Sequence, residues 1–141
     1  GNVIANMIFA WANGDAAGAA DFCKWVEDVL VDVINMTKEK MEKYYDEHVT
    51  DTMCRNELYK KYYMDTIIED TSAVAGLELI RRIVGMANVK DITTIADEAK
   101  RARAEKICIT AAIDFIKNRS DKKCGKCFLK TLKDAIAEVD A

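Results

Sequence analysis

Proline is absent from this chain of 141 residues, where average usage would supply about seven. Sheet proteins with many turns rarely do without it, so the absence points to a predominantly helical domain. Glycine is also scarce: the six residues are isolated, and no Gly-x-Gly occurs among them. That excludes a glycine-rich phosphate loop. Charge of one sign is lacking as well, since 24 acids against 21 bases leave a net charge of −3. No global field draws such a chain to nucleic acid or to an anionic membrane, and neither partner is expected. No basic segment precedes an apolar run in the way that directs secretion, and the first apolar run is too short to cross a bilayer. The expected location is the cytoplasm.

Five cysteines, Cys23, Cys54, Cys108, Cys124 and Cys127, are an odd number scattered over helical patterns. That suits reduced thiols. Cys124-Gly125-Lys126-Cys127 is the one pair with metal or redox spacing. Zinc would need two further ligands, and a thioredoxin-type dithiol would need a neighbouring βαβ pattern. Neither is visible, so the expectation is a loop carrying incidental thiols and no metal site.

Half of the residues are hydrophobic, and the length suffices for one domain with its own core. Gly1-Asn2-Val3-Ile4 enters an apolar run directly, with Ile4, Met7, Ile8 and Trp11 on one helix face. It reads as a core helix whose N-terminal context has been cut away. After Asn13-Gly14-Asp15, apolar residues from Phe22 to Met41 alternate with charges at helical spacing, which predicts a long amphipathic helix over about 16–47. A second long pattern runs from Asn56 to Val84 and stops at Gly85. Its later part, 72–84, is apolar on nearly every side, as in a central helix surrounded by others. Residues 91–95 suggest a single capped turn. A third long helix is predicted from about Asp97 to Arg119, and a last amphipathic one after a loop over 120–126. No stretch shows sustained two-residue alternation, so residues 1–141 are expected to form one all-α unit.

Chemistry-bearing features are few. His48 follows Asp46-Glu47 at a helix end, where a cation meets the helix dipole favourably; a solvated terminus is expected. Tyr44-Tyr45 and Tyr62-Tyr63 lie beside lysines, and at core-like spacing on an acidic chain they read as helix-packing residues rather than a base-stacking surface. Glu78-Leu79-Ile80-Arg81-Arg82 stands apart, because it places two guanidinium groups at the end of the most apolar helix. Glu78 lies three and four residues before them and can pair with one. One reading is structural, a paired charge at a helix C-terminus. The other is functional, an anion site built on a planar fork of donors.

The segment Glu78-Leu79-Ile80-Arg81-Arg82-Ile83-Val84-Gly85-Met86-Ala87-Asn88-Val89-Lys90-Asp91 resembles the C-terminal region of the S-methyl-5-thioribose kinase family, which carries (Lys/Glu)-(Met/Leu)-Ile-Arg-Arg-(Ile/Thr)-(Ile/Val)-Gly-(Leu/Val)-Ala-His-Val-x-Asp. Residues 112–120 and 1–10 resemble that family's closing helices and its Gly-x-x-x-(Gly/Ala)-Asn-Leu-(Ile/Leu)-Leu-Ala helix. The likeness implies a protein-kinase-like fold of the aminoglycoside phosphotransferase and choline kinase group, of which this chain would be a helical subdomain from the C-terminal lobe. It implies transfer of the ATP γ-phosphate to the 1-hydroxyl of methylthioribose in methionine salvage. ATP, Mg²⁺ and the catalytic Asp would belong to preceding parts of an intact enzyme, and this fragment alone would be inactive and bind no cofactor. Arg81 and Arg82 match the family's paired arginines, associated with the substrate and the transferred phosphate. Asn88 stands where the family commonly has His, which would keep a hydrogen bond to substrate but lose a proton switch. Exposed former interfaces would favour a homo-oligomer. The alternatives are a kinase-like relative acting on another small hydroxyl compound, and a stand-alone helical interaction module.

Overall fold

The computed structural model describes residues 1–141 as six α-helices with no strand. They are α1 (Asn2–Ala16), α2 (Ala20–His48), α3 (Glu57–Ile83), α4 (Lys90–Thr93), α5 (Glu98–Lys117) and α6 (Gly125–Asp140), with a 3₁₀ turn at Arg119–Asp121 before α6. The all-α class follows. No helix is long and apolar enough to cross a membrane.

Helix starts have local causes. The Asn56 side chain accepts from the backbone N–H groups of Leu58 and Tyr59 and so opens α3, and the Asp97 carboxylate accepts from Lys100 N–H at 3.0 Å at the start of α5. Both satisfy donors that the first turn leaves without helical partners. The break between α1 and α2 differs from the expectation. Asn13-Gly14-Asp15 stays helical, and the Phe22 ring packs into the space beside Gly14 that a Cβ would need. The chain turns instead at Gly18, whose φ of 74° lies in the left-handed region.

A single core joins the elements: Ile4, Ile8 and Phe9 from α1, Leu30 from α2, Leu79 from α3, Ile107 and Phe115 from α5, and Phe128 and Leu132 from α6 are all buried within it. The α3–α5 interface is the largest. There Ser72 Oγ donates to the Phe115 carbonyl at 2.8 Å, and a Cβ on Gly76 would lie 2.7 Å from the Ala112 carbonyl oxygen. The missing side chain lets the two backbones meet.

The later half of α3 is not encircled as its composition suggested. Ser72, Ala75, Gly76 and Leu79 face the core, but Leu77 is 59% and Val84 70% exposed, and Val74 is exposed beside them. Gly1 lies against the Val74 side chain, and Leu77 and Val84 face outward. Two further boundaries move: α5 ends at Lys117 rather than Arg119, and α6 begins at Gly125, so Lys126 and Cys127 belong to its first turn rather than to a loop.

Candidate functional site

Glu78, Arg81 and Arg82 come together on the last turns of α3. The Glu78 carboxylate is buried, at 7% exposure, and it accepts from both arginines. Arg81 closes on it through two nitrogens, Nε to Oε2 at 2.8 Å and Nη2 to Oε1 at 2.7 Å. Arg82 donates only its Nε, to Oε1 at 2.8 Å. The hydrogen bonds from Arg82 and Arg81 hold the Glu78 carboxyl below the usual carboxylate range, against the opposing effect of burial.

One carboxylate therefore serves two cations, and the trio keeps one net positive charge. The side chain of Arg81 is 54% and that of Arg82 35% exposed. Fixing Arg82 through Nε leaves its two terminal nitrogens free to donate outward, a fork suited to phosphate or carboxylate oxygens. The sequence spacing anticipated one pairing with Glu78; the structure shows both. It could not show that the carboxylate is buried, and burial is what makes it a fixed anchor for the guanidinium planes.

Beyond α3 the chain turns at Gly85, where a side chain would collide with the Arg81 carbonyl, and reaches α4. Asn88 lies in this connection, exposed. Its side chain is hydrogen-bonded to neither arginine. Lys90 to Thr93 form the expected single turn, and Asn13 Nδ2 donates to the Asp91 carbonyl at 2.6 Å, tying the connection back to α1.

The largest concavity lies elsewhere. A groove of about 800 Å³ opens between the end of α2 and the start of α3, lined by Tyr44, Tyr45, Tyr59, Tyr63, Met41 and Met64 among others. Tyr45 is buried and its hydroxyl donates to the Cys54 carbonyl at 2.7 Å. Its ring packs 5.8 Å from that of Tyr63, so the packing role expected of these residues holds for this pair. Tyr44, Tyr62 and Tyr63 itself are nevertheless exposed. Lys40 is the only charged residue in the lining, too little to steady a phosphoryl group. His48, its ring 4.1 Å from that of Tyr44 and tilted to it, sits exposed at the end of α2.

The donor set does not fit a metal or a nucleotide. Nowhere do three His, Cys, Asp or Glu side chains converge as a metal ion requires, and the isolated glycines build no phosphate cradle. The residues present supply neither a ligand set for Mg²⁺ nor a bed for the phosphates of ATP.

No family model matches the chain. It is similar over its sequence to methylthioribose kinases. Methylthioribose kinase 1 of Oryza sativa subsp. japonica is 28% identical over 138 residues, covering 84% of this chain and 31% of that protein. Methylthioribose kinase of Escherichia coli O45:K1 is 26% identical over 133 residues, covering 84% and 32%. That of Bacillus cereus ATCC 10987 is 39% identical over 57 residues, 40% of this chain. The chain spans about a third of the length of the curated relatives that match most of it. The resemblance drawn from the arginine segment is thus found across most of the sequence.

Proposed function

We propose that this chain is the substrate-side helical subdomain of a methylthioribose kinase, a C-terminal fragment of a longer two-lobed protein that transfers the γ-phosphate of ATP to the 1-hydroxyl of methylthioribose in the cytoplasm. The Glu78-anchored arginine pair carries the reading. Phosphoryl transfer asks the protein for positioning and charge stabilisation rather than covalent chemistry. Guanidinium groups with free terminal nitrogens, held by a buried carboxylate, meet that demand. In this role Arg82 presents two nitrogens to the transferred phosphate or the sugar, and Arg81 adds positive field beside it. Asn88, one connection further on, would offer an amide to substrate. ATP and Mg²⁺ would be held by the rest of the protein.

The experiment is ADP release by the full-length protein with methylthioribose, comparing wild type with Arg81→Ala and Arg82→Ala. The expected result is a large loss of turnover with little change in melting temperature. Unchanged turnover with a large loss of stability would favour the structural reading, in which Glu78 exists to neutralise two helix-terminal cations. Asn88 in place of the family's histidine supports one further comparison, turnover on methylthioribose against choline and aminoglycosides. No preference for methylthioribose would move the assignment to another hydroxyl substrate.

The same reading includes self-association. The exposed apolar side chains of Leu77 and Val84 are surface of the kind that marks interfaces, and sedimentation showing only monomer at high concentration would count against a homo-oligomer.

A further inference from the structure

At the start of α6 two sulfur atoms face each other. Cys124 is the residue before the first turn, in extended backbone with φ −156° and ψ 166°, and Cys127 is the third residue of the helix. Their Sγ atoms are 3.1 Å apart, within hydrogen-bonding distance. The turn that carries them is held in place: Gly125 N–H donates to Asn35 Oδ1 of α2 at 2.9 Å, and Cys127 N–H to the Cys124 carbonyl at 2.9 Å. A disulfide holds its sulfurs about 2.05 Å apart, so the two Sγ atoms need to approach by only about 1 Å to close the bond.

Access separates this pair from most of the other thiols. Cys23 and Cys108 are buried in the core, whereas Cys124 and Cys127 are half-buried. Burial also pushes the Cys108 thiol up to about 12, away from reactivity. Burial raises Cys127 too, but the hydrogen bond from Cys124, neighbouring backbone groups and the Lys122 charge outweigh it and hold Cys127 below the usual thiol range. Lys122, Lys123 and Lys126 surround the two residues in sequence.

We propose that Cys124 and Cys127 are a redox-active dithiol, a site of reversible oxidation by peroxides that closes to a disulfide across the first turn of α6. The Cys127 thiolate attacks one oxygen of hydrogen peroxide and the O–O bond breaks, leaving a sulfenic acid on Cys127, while the departing hydroxide takes up a proton as water. Cys124 then attacks that sulfur as its own proton is lost. The S–S bond forms, the S–O bond breaks, and the sulfenic oxygen leaves as a second water. Two thiols are oxidised and one peroxide is reduced. The site is independent of the kinase reading, and it stands whether or not that reading does.

The test treats the folded chain with limiting hydrogen peroxide, blocks remaining thiols with an alkylating agent and reads the products by mass spectrometry. The expected result is loss of two hydrogen atoms from the segment holding Cys124 and Cys127, reversed by dithiothreitol, while Cys54, the other half-buried thiol, remains open to alkylation. In Cys124→Ser the resolving thiol is gone, and dimedone is expected to trap a sulfenic acid on Cys127. Full alkylation of both cysteines after peroxide, or consumption of Cys54 ahead of them, overturns the proposal. The wild-type measurement decides even where the variant does not fold.

Discussion

Arg82 donates a single hydrogen bond, from Nε, to the same Glu78 oxygen that accepts Nη2 of Arg81. The consequence is a carboxylate saturated by two cations, and its protonation should register in the stability of the fold. Pairing holds Glu78 below its ordinary value of 4.5. A depressed carboxyl stabilises the folded chain above the ordinary value, and the contribution is lost as pH falls through the lower folded value. Melting temperature measured from neutral pH to below about 4.5 should therefore fall more steeply in the wild type than in Glu78→Gln, which has no proton to take up there. Parallel curves would show that the pairing contributes nothing to folding.

The chain by itself should not turn over ATP. Its residues offer no converging metal ligands and no glycine-rich loop, so the purified chain with ATP, Mg²⁺ and methylthioribose is expected to release ADP at the buffer rate. Enzyme-dependent release that scales with chain concentration would contradict the proposed division of labour between this part and the rest of the protein.

Gly76→Ala should destabilise the fold by about 1–3 kcal/mol, the usual cost of forcing a methyl group into a packed contact. The obstruction is the Ala112 backbone carbonyl and the Ile116 side chain, both 2.7 Å from the added carbon, and the backbone has little room to yield. Denaturant unfolding measures the loss, and a midpoint equal to wild type would mean that α3 and α5 separate at no cost.

Glu27→Ala should cost roughly 1–3 kcal/mol by leaving a buried donor without its partner. The Glu27 carboxylate, 8% exposed, accepts from Trp11 Nε1 at 3.0 Å and also pairs with the Lys133 ammonium, so one residue of α2 links α1 to α6. Glu27→Gln retains an acceptor for the indole and should lose less. Equal losses in the two variants, measured by thermal unfolding, would show that the charge matters and the indole hydrogen bond does not.

Particular elements show how far the sequence could be read. The caps of α3 and α5 were legible because Asn56 and Asp97 act on backbone groups two and three residues away, a local interaction. The turn after α1 was misplaced because Gly14 and Gly18 look alike in a sequence, and only the position of the Phe22 ring tells a packing glycine from a turning one. The bare side of α3 was beyond the sequence for a different reason. Apolar residues around a helix show that it has surfaces to cover, and do not show that the cover lies within the same chain. The expected loop runs on to Lys126 because no local cap marks a helix start at Gly125, whereas Asn35, 90 residues earlier, accepts from the N–H of Gly125 and lets the helix begin there. At the candidate site, spacing alone indicated that Glu78 could pair with one arginine, while its pairing with both depended on how the buried carboxylate and the two side chains settle together.

The close approach at Gly76 is one of several points that hold α3 along its length: Met64 and Ile68 are buried, Ser72 is hydrogen-bonded to the Phe115 carbonyl, and Tyr63 packs against Tyr45. From Gly76 the arginines overhang by about 9 Å, at 1.5 Å of rise per residue. The two guanidinium groups therefore stand at the short free end of a strut fastened at intervals, and their bearing is set by the helix rather than by a loop.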